Sequence, residues 1–150
     1  MQTLLDELVA HQKNRKDKRK FGLVIQGGGM RGCYAAGALV PFWELGLIDS
    51  FDHVIGSSAG AINGAYFLGA DKDSAYIYLN DLTNKNFVDL LRRGKKIDVD
   101  YAVDMVITHK RPINIERLKA AHPKLHVVVT NANNGRREVI SDHKDLELLY

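Results

Sequence analysis

The sequence predicts an α/β fold with a mostly parallel central sheet, and three observations carry that prediction. A continuous apolar run, "FGLVIQ" (21–26), leads into a helical pattern, "CYAAGALVPFWELG" (33–46), and then into a second short strand pattern, "DHVIG" (52–56). Two strands joined through a helix form a βαβ unit, whose strands run parallel and whose crossover is right-handed. After a long helical stretch, "KLHVVVTNAN" (124–133) returns to β-branched composition, which suits a further strand.

The elements follow in order. Residues 3–10 read as a short amphipathic helix with Leu4, Leu5, Leu8 and Val9 on one side,. The run "HQKNRKDKRK" (11–20) is basic apart from Asp17. It is expected to be a solvated leader, with weak contact to anionic lipid headgroups as the sharper alternative. The division is thus a helical and basic leader over 1–20 and one domain portion over 21–150. "FGLVIQ" is apolar throughout, the pattern of a parallel strand buried on both faces. In the next helix Pro41 is expected to kink or break the register, and Gly46 to stop it. "SSAGAINGAYFLGA" (57–70) is a helix rich in small residues, suited to close packing on a sheet.

Residues 71–122 read as mostly helical: "DKDSAYIYLNDLT", "NFVDLLRR", "DYAVDMVI" and "INIERLKAA", separated by Asp, Gly and Pro signals,. At helical spacing, "AYIYLNDL" and "NFVDLL" read as core rather than as a lipid-facing lid. "NNGRREVIS" is a hairpin signal through Asn134-Gly135, leading into a strand. "HKDLELLY" starts like a helix behind Asp142 and reaches Tyr150 without a stop signal, so the domain is expected to be truncated at its C-terminus.

Bulk properties exclude several function classes. The chain has 150 residues, enough for one ordinary domain, and 45% hydrophobic against 26% charged residues is ordinary globular composition,. A net charge of +3 is too small to argue for nucleic acid,. A single cysteine, Cys33, allows no internal disulfide, and the six histidines show no metal-ligand spacing, so no metal is expected,. Cys33 lies at a helix start, which can lower a thiol pKa; its packing position favours a buried, inert thiol. Asp6 and Glu7 stand where a secretory signal would be basic and then apolar, so a cytoplasmic location is expected,.

Two motifs carry chemistry. "GGGMRG" (27–32) fits G-x-G-x-x-G between a strand and a helix, as a dinucleotide site would,. Such a site also needs an acid at the end of the second strand, and "GSSAG" (56–60) stands there instead. A P-loop fails as well, for no Gly-Lys-Ser/Thr follows the glycines. "GSSAG" is a G-x-S-x-G nucleophile elbow: Gly56 and Gly60 permit a sharp turn that projects the Ser58 hydroxyl at a helix N-terminus. Parallel strands of one βαβ unit bring both loops to the same sheet edge. Backbone amides of the glycine loop then stand ready for the oxyanion that forms when Ser58 attacks an ester carbonyl.

"GGGMRG" followed about 25 residues later by "GSSAG" resembles the patatin-like phospholipase family, strongly over residues 21–70. The resemblance implies a three-layer α/β/α fold, hydrolysis of lipid acyl esters, and a Ser–Asp dyad. Carried over by motif, Ser58 is the nucleophile, and Gly27, Gly28, Gly29, Met30, Arg31 and Gly32 form the oxyanion loop. Arg31 is expected to order that loop; contact with a substrate phosphate and an exposed salt bridge are the alternatives. No organic cofactor is implied, the partner is a lipid or phospholipid ester with possible peripheral membrane contact, and the oligomeric state is left open. The family places its dyad aspartate in an Asp-Gly-Ala/Gly motif, and this chain contains no Asp-Gly. Asp98, Asp100, Asp104 and Asp142 lack that context, so the base is expected beyond residue 150 and the chain by itself should be poorly active.

Three alternatives stand beside this reading. An ordinary α/β-hydrolase would need a histidine base, and His109, His126 and His143 have no supporting context. A binding module retaining the fold without catalysis fits the missing aspartate. A nucleotide-binding domain is weakened by the absent ribose-binding acid.

Overall fold

A computed structural model describes residues 3–14, 16 and 18–141. The helix expected behind Asp142, and with it Asp142 and His143, lies outside the described residues. Four strands form one sheet in the order β1-β2-β3-β4: β1 Gly22–Ile25, β2 His53–Gly56, β3 Lys124–Thr130 and β4 Arg137–Ile140. β1, β2 and β3 run parallel, with Ile25 opposite Gly56 and Gly56 opposite Val127. β4 pairs antiparallel with β3 through the expected hairpin, where Gly135 takes φ +69°. The α/β class and the mostly parallel sheet agree with the sequence reading.

Among the described residues, five α-helices accompany the sheet: α1 Leu4–Lys13, α2 Gly32–Glu44, α3 Ala59–Gly69, α4 Ile77–Asn80 and α5 Ile115–Ala120. α3 lies across β1, β2 and β3. Its small residues allow this approach: a side chain on Gly64 would meet Val54 and Leu125 at 3.0 and 3.1 Å. The main core joins Ile25, Val54, Leu125 and Val127 of one sheet face to Leu39, Phe67 and Leu118. Phe67 also stacks edge-on with Phe42, Trp43 and Phe51.

The other sheet face changes one expectation. β1 is not buried on both sides, since Val24 is 73% exposed. β1 is the edge strand of the described sheet, and the core gathers on the Leu23–Ile25 side. An apolar run cannot distinguish one covered face from two, because valine is equally at home on an open strand.

Three helix expectations need correction. "NFVDLLRR" is not helical: Val88 bridges Ile97 antiparallel, closing a hairpin whose turn uses Gly94 at φ +92°. Asn84 Oδ1 accepts from the amides of Asn86 and Phe87, and Asp89 Oδ1 accepts from Leu91, so side chains take the amides that a helix would use,. "DYAVDMVI" belongs to a wider-turned π-helix over Tyr101–Lys110, closed by the Arg111 amide on the Val106 carbonyl,. "DKDSAYIYLNDLT" splits into a 3-10 turn, Lys72–Tyr76, and the single turn of α4.

The break expected at Pro41 does not occur, as α2 runs through it to Glu44. Gly37, Ala38 and Pro41 all face solvent, so the carbonyl that loses its partner at Pro41 stays hydrated,. Gly46 does stop α2, in a Schellman cap: it takes φ +65°, and the amides of Gly46 and Leu47 return to the carbonyls of Trp43 and Phe42,.

α1 buries Leu8 and His11, while Leu4 and Leu5 remain exposed. The basic run is partly tethered: His11 Nε2 and Lys20 Nζ reach Asp52 at 3.1 and 2.9 Å, and the Phe21 amide donates to the same carboxylate. Lys13, Lys16 and Lys18 are exposed, as a solvated segment would be.

Candidate active site

β1 and β2 end side by side, and the two loops that leave them meet. Ser58 opens α3 and has φ 51° and ψ −130°, the one non-glycine residue with positive φ among those described. Such a conformation costs about 1–3 kcal/mol and persists only where the surroundings impose it. The surroundings here are two glycines. A Cβ on Gly56 would overlap the Gly60 carbonyl, and a Cβ on Gly60 would overlap the carbonyl of Ile25 on the neighbouring strand. The turn is therefore tight against β1, and larger residues cannot replace its glycines without moving backbone.

The glycine loop closes over this turn. A Cβ on Gly27 would lie 2.6 Å from the Ser57 carbonyl oxygen and 3.2 Å from Ser58 Cβ, so the loop backbone touches the elbow. Gly29, at φ +56°, begins a 3-10 turn over Gly29–Arg31 that runs directly into α2. Arg31 folds its guanidinium over Gly28, where it would crowd a Cβ at 3.2 Å. Among the described residues it makes no ion pair, which removes the salt-bridge alternative there. Met30 is half-buried and lines the cavity described below.

A buried polar chain joins the two loops, and the motifs gave no sign of it. Asn63 of α3 donates from Nδ2 to the Gly32 carbonyl at 2.9 Å, and the Tyr78 hydroxyl donates to Asn63 Oδ1 at 3.0 Å. Both side chains are buried, and burial pushes the Tyr78 hydroxyl up to about 12, keeping it a neutral donor,. A lone asparagine inside the small, apolar helix "AGAINGAYFLG" was the available signal.

Ser58 itself is exposed and makes no capping bond to α3, so its hydroxyl is not committed to the helix. Beside it opens an apolar cavity of about 300 Å³, lined by Ile62, Tyr78, Phe87, Val99, Val103 and Ile107 among others. Its walls come from α3, α4, the 87–98 hairpin and the π-helix, of which only the hairpin departs from the helical reading altogether. "AYIYLNDL" and "NFVDLL" therefore divide: Ile77, Tyr78, Leu82 and Phe87 are core, whereas Leu79 and Leu90 are exposed.

The model of the patatin-like phospholipase family matches residues 23–148. The chain belongs to the patatin-like phospholipase family. A curated relative, described as the uncharacterized protein YjjU of Escherichia coli (strain K12), is 34% identical over 89 residues. That match covers 57% of this chain and 25% of the relative, so the chain spans well under two thirds of the relative's length. No solved structure matches.

In this patatin-like phospholipase chain the other sequence candidates lie in different surroundings. Asp98 takes Arg92 and the Tyr101 amide, and Asp100 takes Lys95. The Asp104 carbonyl is bonded by His109, while His126 lies between His53 and Ser141. Cys33 is half-buried rather than sealed in the core. Among the described residues no three His, Cys, Asp or Glu side chains gather as metal ligands, and no helix is long and apolar enough to cross a membrane.

Proposed function

We propose that this chain carries the nucleophile half of a serine lipid acyl hydrolase, with Ser58 forming an acyl-enzyme. The carrying observation is the strained Ser58 turn, held against the glycine loop at the mouth of an apolar cavity. An acyl chain occupies the cavity and presents its ester carbonyl to Ser58. The Ser58 oxygen bonds to the carbonyl carbon as its proton passes to a base. The carbonyl oxygen becomes an oxyanion, and amides of Gly28, Gly29 and their neighbours stabilise it, each such donor being worth about 10²–10³ in rate. Collapse breaks the ester bond, the alcohol leaves with the proton, and water then releases the fatty acid. Arg31 orders the loop through its packing on Gly28.

The base is an aspartate placed beyond residue 150: the carboxylates of Asp98 and Asp100 are engaged by Arg92 and Lys95, and no Asp-Gly stands in the sequence to offer another. That same observation favours a second reading for the isolated chain, a module that binds acyl groups without turning them over.

Labelling with a fluorophosphonate, followed by peptide mapping, tests both. On a C-terminally extended chain the label is expected at Ser58, and Ser58→Ala abolishes it. Residues 1–150 alone should label at least 10²-fold more slowly, the scale of a missing base in serine hydrolases. Absence of label in both folded chains overturns the hydrolase reading and leaves the binding module.

A further inference from the structure

The hairpin that walls the cavity also carries the most exposed apolar side chains of the region. Its tip reads "LLRRGKK" (90–96), with Leu90 and Leu91 at 76% and 90% exposure. Four cations and no acid lie within those residues. The tip is tied rather than loose. The Asp89 amide donates to the Lys96 carbonyl, the Asp98 amide to the Phe87 carbonyl, and Lys96 Nζ to the carbonyls of Leu90 and Arg92. Arg92 reaches back to the carbonyls of Lys85 and Asn86. These bonds to neutral carbonyls hold the two leucines outward while leaving the Lys96 charge uncompensated. Lys95 is compensated by Asp100, Arg92 partly by Asp98, and Arg93 is exposed with no ion pair among the described residues.

We infer that the 87–98 hairpin is an interfacial finger that docks this chain on an anionic phospholipid surface, delivering lipid to the cavity beside Ser58. Two outward leucines ringed by cations match a layer with anionic headgroups above hydrocarbon. The tip presents only Leu90 and Leu91 as apolar side chains, small for the buried core of a protein interface,. Position supplies the remaining argument. Phe87 and Ile97 of the same hairpin line the cavity, as does Val99 just beyond it, and Ile97 and Val99 are 50% and 60% exposed. An apolar path thus runs from the leucine tip along the hairpin to Ser58. The inference rests on the lipid substrate proposed above and adds the surface from which that substrate is taken. It assigns membrane contact to this hairpin rather than to the basic run 11–20.

The test is cosedimentation of the full chain with vesicles of pure phosphatidylcholine and of equimolar phosphatidylcholine and phosphatidylserine, at low and high salt. Binding is expected only to the anionic vesicles and should weaken as salt rises. Leu90→Ser/Leu91→Ser should weaken it roughly tenfold or more, and Arg93→Gln about fivefold at low salt. Lys13→Gln/Lys16→Gln/Lys18→Gln in the basic run should bind as the parent does. All these side chains are exposed, and circular dichroism verifies folding. As a second measurement, Leu91→Trp fluorescence should be quenched by brominated acyl chains. Parental binding by the leucine variant, loss of binding only in the 11–20 variant, or no binding by the folded parent would each overturn the inference. Fluorophosphonate labelling of the C-terminally extended chain in water separates the two readings: a leucine variant that labels normally yet leaves vesicles is the expected outcome. Vesicle binding without any labelling would sink the hydrolase reading and leave the docking surface standing.

Discussion

Ser58 holds a backbone conformation that an L-residue adopts at a cost, and the residues around it show how that cost is sustained. Gly60 is the more exacting of the two flanking glycines, because the atoms a Cβ would strike belong to the β1 backbone. Gly60→Ala is expected to destabilise the fold by about 1–3 kcal/mol, as overpacking against an immobile neighbour does, and to abolish labelling at Ser58. Denaturant unfolding and the labelling rate check the two effects separately. The Gly32–Asn63–Tyr78 chain fails differently. Asn63→Leu would leave the Gly32 carbonyl and the Tyr78 hydroxyl buried and unpaired, at about 1–3 kcal/mol for each orphaned group,. Adding Tyr78→Phe should recover part of that loss, which a double-mutant cycle would read directly.

Between elements, the clearest electrostatic tie joins α1 and the basic run to the start of β2. Burial pushes the Asp52 carboxyl up, but hydrogen bonds from Lys20 and the Phe21 amide, with the charges of Lys20 and His11, outweigh it and hold the group down at about 2. The folded value lies below the unfolded one of about 3.9, so the contribution is complete above roughly pH 4 and is lost as pH falls towards 2. Its size is on the order of 2 kcal/mol, trimmed by salt because Lys20 is largely exposed,. Stability measured by denaturant at stepped pH should show this loss, and Asp52→Asn should start lower and fall less across the same window.

For the whole molecule, the proposed function depends on a cavity that no single element builds. An apolar cavity of about 150 Å³ accommodates a benzene-sized guest, so one of about 300 Å³ has room for roughly twice that carbon count. Ile62→Trp, placing a larger ring in the cavity wall, should slow labelling by long-chain alkyl phosphonates about tenfold and spare short-chain probes. Equal slowing of both would show that the cavity does not receive the chain.

Much of the site was legible from residue types alone. Ser58, Gly56, Gly60 and the loop Gly27–Gly32 occupy turns whose shape is set within a few residues, by which amino acids tolerate positive φ or close backbone approach. The parallel pairing of β1 and β2 followed from the strand–helix–strand order, because a single helix crossover leaves few other arrangements. What the tertiary structure decided was long-range. Val24 faces out because the core gathers on the opposite, Leu23–Ile25 face of β1,. "NFVDLLRR" forms a hairpin because Asn84, Asp89 and the Val88–Ile97 pairing outcompete its helical spacing. The partner of Asn63 lies fifteen residues away at Tyr78, and the cavity gathers walls from α3, α4, the hairpin and the π-helix. Local sequence determines where the chain can turn sharply and present a hydroxyl; only packing between distant segments determines which apolar side chains enclose the cavity and which remain in water.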